Sequence, residues 1–223
     1  MESDTGNGPA FVSWSGGKDS CLALHRAVAA GRPVLALFCM LHEGGAFSRS
    51  HGVSREALAA QAEALELPIR FGSATWEGYE AAFKEEVGRM RGHGVSAGVF
   101  GDIDLAEHRV WVERVCGELG IEPLLPLWGQ ERRGLVTEFV NLGYRAVIIS
   151  VRMEYLSRDW LGRVLDLSAL RDLEAAGVDP SGEGGEFHTF VFSGPLFAHP
   201  VDFATGGVVE RDGHLQLEIM PAC

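Results

Sequence analysis

A run of six residues near the start of the chain combines glycine, hydroxyl, amine and carboxylate groups, and it reads Ser15-Gly16-Gly17-Lys18-Asp19-Ser20. It separates an apolar, strand-like segment, residues 10–14, from a segment with helical apolar spacing. Two adjacent glycines let backbone N–H groups approach an anion closely, and a helix start adds unpaired donors and partial positive charge. The run therefore predicts a phosphate site. An ordinary glycine turn, with Asp or Ser as a helix cap, is the simpler alternative.

The side chains of this loop suit phosphate chemistry as well. Lys18 can neutralise phosphate charge, Asp19 can hold Mg²⁺, and the hydroxyls of Ser15 and Ser20 can donate to phosphate oxygens. We place Ser13, at the end of the strand, in the same predicted site. The loop is not a Walker A sequence, because valine and aspartate stand where that motif requires glycine and Ser/Thr.

A second polar run lies near the other end of the chain and reads Glu183-Gly184-Gly185-Glu186-Phe187-His188-Thr189. If a strand begins at Phe187, Glu186 and His188 point to one face and Phe187 and Thr189 to the other. Acid–base groups would then be presented together beside a flexible Gly-Gly pair. The alternative is a glycine-rich loop with a solvated acidic edge.

The elements that must position these runs alternate between strand and helix. Such alternation predicts an α/β fold with a doubly wound parallel sheet. The predicted strands are residues 10–14, 34–40, 68–71, 98–103, 123–127 and 146–151, and the predicted later helices are residues 54–66, 77–91, 107–119 and 135–142, with Ser54 as a cap.

The alternation stops near residue 150. One further helix, residues 168–176, precedes an extended segment, 187–192, and a hairpin, 208–217, that turns at Asp212-Gly213. We therefore predict a disordered tail over residues 1–9, a nucleotide-binding α/β domain over 10–150, and a smaller mixed α+β substrate-binding region over 151–223.

Composition excludes several classes of function. The 223 residues include 19 Lys plus Arg against 31 Asp plus Glu, for a formal net charge of -12. That balance disfavours non-specific nucleic-acid binding, so no nucleic-acid partner is expected. No apolar stretch approaches the ~20 residues of a membrane helix, and the start of the chain lacks signal-peptide character. We expect a cytoplasmic protein without a membrane partner, and the choice between monomer and homodimer stays open.

The four cysteines, at positions 21, 39, 116 and 223, form no C-x-x-C pair. They are expected to be buried thiols in a reducing compartment, without zinc or iron–sulfur chemistry. Cys21 follows the first loop and could act as a nucleophile at a helix start, where thiol pKa values fall. Its place on the apolar face of the helix favours core packing instead.

The two polar runs together resemble the diphthine–ammonia ligase family of ATP pyrophosphatases. Residues 15–20 match the SGG-x-D-S loop of that superfamily at every fixed position, and further similarity lies in residues 126–129 and 160–163. The resemblance implies an adenine nucleotide α-hydrolase-like, Rossmann-like fold. It also implies that ATP adenylates the carboxylate of diphthine, a modified histidine of a translation elongation factor, and that ammonia converts the acyl-adenylate to an amide. AMP and pyrophosphate would be released.

The resemblance assigns roles to particular residues. Residues 15–20 would hold the phosphates of ATP with Mg²⁺ at Asp19, and His51 matches a family position near adenine, although it could be only a surface-loop histidine. Glu186 is the expected base that deprotonates ammonium, and His188, whose ordinary pKa lies near neutrality, is the alternative. The predicted substrate-binding residues are Asp102, Asp104, Glu183, Gly184, Gly185, Glu186 and Thr189.

Two observations depart from the family pattern. Asp102 and Asp104 replace a less acidic stretch, where they could bind Mg²⁺ or a cationic substrate group or could cap the next helix. The arginine and alanine bias suits a high-GC bacterium, in which diphthine is absent. A bacterial paralogue would amidate a small-molecule carboxylate, for example in cobalamin salvage. An RNA modifier is disfavoured by the acidic charge, and a non-catalytic ATP or AMP sensor is the remaining alternative.

Overall fold

The structure is a computed structural model that describes residues 8–211 and 213–222. Most of the predicted disordered tail, residues 1–7, lies outside the described residues. The same is true of Asp212 in the predicted hairpin turn and of Cys223, which was expected to be a buried thiol.

Five parallel strands form the first sheet, in the order β3-β2-β1-β4-β5. The order reverses between β1 and β4, and ligands of such sheets bind beyond the carboxyl ends of the strands at this point. The predicted α/β fold with a parallel sheet is confirmed. The strands are β1 (Ala10–Ser13), β2 (Val34–His42), β3 (Ile69–Ala74), β4 (Ala97–Val99) and β5 (Glu122–Leu124).

Helices cover both faces of this sheet, as a doubly wound fold requires. The helices are α1 (Lys18–Ala29), α2 (Arg55–Ala64), α3 (Tyr79–Gly92), α4 (Ala106–Leu119) and α5 (Arg132–Asn141). Buried side chains of α1, α2 and α5 share one core, and those of α3 and α4 share another. Ser54 caps α2 as predicted, because its hydroxyl accepts a 3.2 Å hydrogen bond from the backbone N–H of Ala57.

A second sheet is antiparallel and has the strand order β7-β6-β9-β8. Its strands are β6 (Arg145–Arg152), β7 (Phe187–Ser193), β8 (Phe203–Arg211) and β9 (His214–Pro221), and the helix α6 (Leu167–Ala175) packs against it. The predicted hairpin is present as β8 and β9, whose strands pair Arg211 with His214.

The assignment of residues 146–151 to the parallel sheet is wrong. They form most of β6, which pairs antiparallel with β7 and β9. An unbroken buried run predicts a strand covered on both faces, but it does not specify the neighbouring strand. The domain division at residue 150 stays a prediction. Because β6 pairs with the later strands β7 and β9, we propose a boundary between α5 and β6.

Candidate functional site

The first polar run forms a tight loop between β1 and α1, and its glycines are required by geometry. Gly16 has a left-handed φ of 82°. A Cβ on Gly17 would lie 2.4 Å from Cε1 of His51. The hydroxyls of Ser15 and Ser20 share a 3.1 Å hydrogen bond, and the Gly17 N–H donates to Ser15 Oγ over 3.3 Å. Backbone donors and hydroxyls are therefore gathered at the helix start, where an anion is favoured.

Gln61 on α2 anchors this loop from behind. Its side chain is 0% exposed, and its Oε1 accepts a 3.0 Å hydrogen bond from Trp14 Nε1. Its Nε2 donates to the carbonyl oxygens of Gly16, over 2.9 Å, and Val191, over 2.6 Å. The sequence analysis did not identify Gln61. The available signal was a single amide side chain on the otherwise apolar face of a predicted helix. It ties the loop both to β1 and to the second sheet.

The two charged loop residues, Lys18 and Asp19, contact each other. Lys18 is only 5% exposed, and its Nζ donates to Asp19 Oδ2 over 2.7 Å. The same Nζ donates to the carbonyl oxygen of Ser181, and the Lys18 backbone N–H donates to Thr189 Oγ1 over 3.1 Å. The loop after α6 and the strand β7 thus hold the lysine in place, so both polar runs belong to one site.

A cavity of about 250 Å³ opens in front of the loop, and residues from both predicted runs line it. The predicted site residues on its wall are Ser13, Ser15, Lys18, Asp19, Ser20, His51, Asp102, Glu183, Gly185, His188 and Thr189. Gly16 and Gly17 lie in the loop behind this wall. Three other predicted residues, Asp104, Gly184 and Glu186, are not on it.

Asp104 is held outside the cavity by an arginine. Arg132 donates to both of its carboxylate oxygens, each over 2.7 Å, and these hydrogen bonds lower the pKa of Asp104. Asp102 does line the cavity, and its Oδ1 lies 3.0 Å from Nδ1 of His108. Neither aspartate is the cap of α4, because the cap position is Leu105, which makes no side-chain capping hydrogen bond. These contacts favour a structural role for Asp104.

The two glutamates of the second run have different surroundings. Glu186 Oε2 is buried without a hydrogen-bond partner in the part of the chain that the structure describes. Glu183 is half-buried in the cavity wall, and burial and the negative charge of Asp19 raise its pKa to about 7, against an opposing effect of Lys18. Its backbone N–H donates to Asp179 Oδ2 over 3.2 Å. Glu183 is therefore a positioned carboxyl group that exchanges a proton near neutral pH.

Three imidazoles stack beside the loop. The ring centroids of His51 and His188 are 4.4 Å apart, and those of His188 and His214 are 6.2 Å apart. Burial, together with the positive charge of Lys18, lowers the pKa of His51 to about 4. Burial and the neighbouring His51 lower the pKa of His188 well below its ordinary value. Both rings are neutral at physiological pH, so His188 is a poor proton acceptor there.

The three cysteines within the described residues are buried, free thiols. Cys21 is fully buried among apolar side chains, and burial raises the pKa of its thiol. This favours the core-packing alternative over a nucleophile. Among residues 8–211 and 213–222, no three His, Cys, Asp or Glu side chains are grouped as a metal site. Across the same residues, every helix is too short or too polar to cross a membrane.

Comparisons with known proteins agree on one family across both sheets. Residues 9–123 match the model of the diphthamide synthase N-terminal domain, and residues 131–215 match that of the C-terminal domain. A diphthine–ammonia ligase of Danio rerio is 32% identical, covering 89% of this chain and 88% of that one. A diphthine–ammonia ligase of Homo sapiens is 30% identical, covering 87% and 82%.

A distant solved structure is a predicted subunit of a tRNA methyltransferase from Methanocaldococcus jannaschii. It is 15% identical with a TM-score of 0.45, and the match covers 84% of this chain and 97% of that one. The likeness is too distant to carry an argument about function.

Proposed function

The chain belongs to the diphthamide synthase family, and from that premise and the geometry of the site we propose that it is an ATP-dependent ligase that joins ammonia to a carboxylate as an amide. One observation carries the proposal: the glycine loop, the buried lysine and the acidic second run enclose a single cavity. The loop supplies groups that bind phosphate, and the second run supplies a carboxyl group that can exchange a proton.

The first step we propose is adenylation of the acceptor carboxylate. A carboxylate oxygen attacks the α-phosphorus of ATP, the bond to the bridging oxygen of the β-phosphate breaks, and pyrophosphate leaves. Developing charge on the phosphates is met by Lys18 Nζ and by the hydroxyls of Ser15 and Ser20, all of which lie on the cavity wall. Because Gln61 and Thr189 hold the loop backbone, these donors are positioned before substrate arrives.

The residues present are compatible with Mg²⁺. Asp19 lines the cavity, and its Oδ2 accepts a hydrogen bond from Lys18 Nζ. Its other carboxylate oxygen has no hydrogen-bond or ion-pair partner among the described residues. Mg²⁺ in nucleotide sites is commonly held by one or two carboxylates together with substrate phosphates and water. We propose Asp19 as that carboxylate. When bound, the ion would neutralise phosphate charge.

The second step we propose is attack by ammonia on the acyl carbon of the acyl-adenylate, with AMP as the leaving group. Ammonium must first lose a proton, and we assign its removal to Glu183 in place of Glu186 or His188. Glu183 faces the cavity with a pKa of about 7, which suits a base at neutral pH, whereas Glu186 is not on the wall. His188 lines the cavity, but its lowered pKa makes it a weak base.

The acceptor that we propose is diphthine or a related carboxylate, since the relatives are named for diphthine. The test measures pyrophosphate release from ATP and Mg²⁺ with ammonium, adding diphthine-bearing elongation factor or cobalamin-pathway acids one at a time. One acceptor should stimulate release. ATP binding without release in the presence of every acceptor would contradict a ligase and favour a nucleotide sensor.

Variants separate the two steps of this reaction. Asp19→Ala should abolish pyrophosphate release. Glu183→Gln should retain acceptor-dependent release and lose most amide formation. Glu186→Gln makes the same chemical change outside the cavity wall and serves as the matched control. Equal turnover in wild type and Asp19→Ala would remove the loop from the mechanism, and a larger loss in Glu186→Gln than in Glu183→Gln would reverse the assignment of the base.

A further inference from the structure

The loop that carries Glu183, residues 179–185, is organised around Asp179. One carboxylate oxygen of Asp179, Oδ1, accepts hydrogen bonds from the backbone N–H and the hydroxyl of Ser181, over 2.9 and 3.0 Å. The other, Oδ2, accepts from the Ser181 hydroxyl over 2.9 Å and from the Glu183 N–H over 3.2 Å. The Asp179 side chain is only 12% exposed. Asp179 therefore sets the path of the chain through both Ser181 and Glu183.

Arg132, the first residue of α5, joins this loop to a second one, residues 100–105, which follows β4. Its Nη1 donates to Asp179 Oδ2, and its Nε and Nη2 donate to the two carboxylate oxygens of Asp104, each over 2.7 Å. A guanidinium that donates two parallel hydrogen bonds to a carboxylate fixes orientation as well as distance. Residues of both loops line the cavity in front of the phosphate loop. One arginine thus fastens two parts of the cavity wall to each other.

The same two loops also meet at the carboxyl group of Glu183. The backbone N–H of Ile103 donates a hydrogen bond to that carboxyl group. Ile103 is fully buried and directly precedes Asp104 in the chain. The Ile103 hydrogen bond and the ion pairs of Arg132 therefore close a ring of contacts that includes Glu183. Loss of the ion pairs would let the Ile103 N–H and the Glu183 carboxyl group move apart.

Glu183 needs this support because its surroundings oppose its ionised form. Burial and the negative charge of Asp19 raise the pKa of Glu183 to about 7. The charged or titratable side chains that face it are Lys18 and Asp19 of α1, Asp102 of the loop after β4, and His108 of α4. The ionised carboxyl group gains hydration whenever the loop moves outward. A connection between the loop and the rest of the wall opposes that movement.

The loop also contacts Lys18, the residue that we assign to phosphate. Lys18 Nζ donates to the carbonyl oxygen of Ser181, whose N–H and hydroxyl are held by Asp179. None of these hydrogen bonds involves Arg132. Removal of Arg132 should therefore leave Lys18 in place and loosen Glu183, whereas removal of Asp179 should loosen both.

We propose that Arg132 is a positioning residue for the amide-forming step: paired with Asp104 and Asp179, it keeps the loop of Glu183 closed against the cavity wall. Without Arg132 the acyl-adenylate forms but reacts with water. The water oxygen bonds to the acyl carbon, the bond to the AMP oxygen breaks, and the acceptor carboxylate is regenerated with release of a proton. ATP is then consumed without amide. This inference rests on the proposed function, because it assigns the placement of Glu183 to a residue outside the cavity wall.

The experiment measures amide and pyrophosphate in the same reaction, with the acceptor that stimulates release in wild type. Arg132→Met keeps the approximate length of the side chain and removes its ion pairs. We expect pyrophosphate release within about twofold of wild type and at least about tenfold less amide per pyrophosphate, since a misplacement of about 1 Å can cost about a hundredfold in rate. Arg133→Met is the matched control, because Arg133 is the next residue of α5 and pairs with Glu174 outside the cavity. It should leave the ratio unchanged.

Three further measurements test whether Arg132 acts through Glu183. In a Glu183→Gln background, Arg132→Met should cause no further loss of amide per pyrophosphate, because the group that it positions is already absent. Asp179→Ala should lower pyrophosphate release as well as amide formation, because the support of Lys18 is also lost. In Arg132→Met, the pH inflection of amide formation should move below its wild-type value, because the carboxyl group is no longer buried beside Asp19.

Hydrogen exchange of residues 179–185, followed by mass spectrometry, tests the same connection without turnover. Exchange should be at least about tenfold faster in Arg132→Met than in wild type or Arg133→Met. Asp104→Asn changes a side chain that is 37% exposed, and it should give the same results to a smaller extent in a folded protein.

Four results would overturn the inference: unchanged exchange in Arg132→Met, an unchanged ratio of amide to pyrophosphate, an equal loss in the Glu183→Gln background, or an inflection at the same or a higher pH. Failure of the proposed function looks different. Wild type would then release no pyrophosphate with any acceptor, while hydrogen exchange would still distinguish Arg132→Met from Arg133→Met.

Discussion

Gln61 is the residue whose replacement tests most directly how the loop is held. Gln61→Met keeps the approximate length of the side chain and removes three hydrogen bonds, one to Trp14 and two to backbone carbonyl oxygens. The Gly16 carbonyl keeps its 2.9 Å hydrogen bond from the Val191 N–H, whereas the buried Trp14 Nε1 loses Gln61 Oε1 as its acceptor. A buried donor left without an acceptor costs about 1–3 kcal/mol, and each of the two other lost hydrogen bonds costs about 1 kcal/mol. The free energy of unfolding should therefore fall by about 3–5 kcal/mol.

Urea unfolding followed by tryptophan fluorescence measures this loss, and calorimetry measures the affinity for ATP. Gln130→Met is the matched control, because Gln130 is exposed and donates one hydrogen bond, to the Pro126 carbonyl over 3.2 Å. It should change stability by less than about 0.5 kcal/mol. ATP affinity should fall at least about tenfold in Gln61→Met under conditions where it is folded, since the loop carbonyl is no longer fixed.

A second substitution at Gln61 checks that hydrogen bonding is the cause. Glu at this position can still accept from Trp14 Nε1, but its charged form faces two carbonyl oxygens. Its pKa in the folded state is therefore raised, so the stability gained from protonation is present at low pH and is lost as the pH rises through that pKa. Gln61→Glu should be closer to wild type at acid pH than at pH 8, while the deficit of Gln61→Met should not depend on pH. A loss below about 1 kcal/mol in Gln61→Met, with ATP affinity intact, would refute the anchoring role.

Four further predictions follow from the surroundings of single groups. Because the pKa of Glu183 is about 7, the pH profile of amide formation should show an inflection near that value, and Glu183→Gln should remove the inflection. The raised pKa also means that the charged form destabilises the fold, so Glu183→Gln should stabilise the protein more at pH 8 than at pH 5, as urea unfolding would show. In Gly101→Ala, the new Cβ would lie 2.8 Å from the backbone carbonyl carbon of Asp19 and would displace the phosphate loop. ATP binding measured by calorimetry should therefore weaken at least about tenfold. An unchanged affinity would show that this close approach does not hold the loop in place. Cys21, Cys39 and Cys116 are buried, and burial raises the pKa values of their thiols. A thiol reagent should therefore modify at most one cysteine per folded chain, and it should modify all four only after unfolding.

The sequence was sufficient to predict those features that depend on residues close together in the chain. The glycine loop, the Ser54 cap and the alternation of strands and helices were predicted because each depends on residues within a few positions of one another. The resemblance to one family of ATP pyrophosphatases was carried by two such runs, and the family membership is confirmed. The assignment of β6 to the parallel sheet was wrong because the partner of a strand depends on distant segments.

The choice between the two glutamates of the second run shows the same limit. Glu183 and Glu186 are three residues apart and chemically identical. The match to the family motif led to Glu186 as the expected base, and strand alternation placed it on one face with His188. Only the folded chain brings Asp19 near Glu183, and only folding buries His188 against His51. Charge and burial set the proton affinities, and both arise from contacts between residues far apart in the chain.

The sequence by itself therefore determined the loop, the fold class and the family, since these depend on short-range spacing and on the residues at a few fixed positions. Tertiary structure decided that Asp104 binds Arg132, that Gln61 anchors the loop, and that a cavity opens in front of the loop. Burial, a cavity and an electrostatic environment are properties of many residues brought together by packing. No spacing within one segment of the chain encodes them.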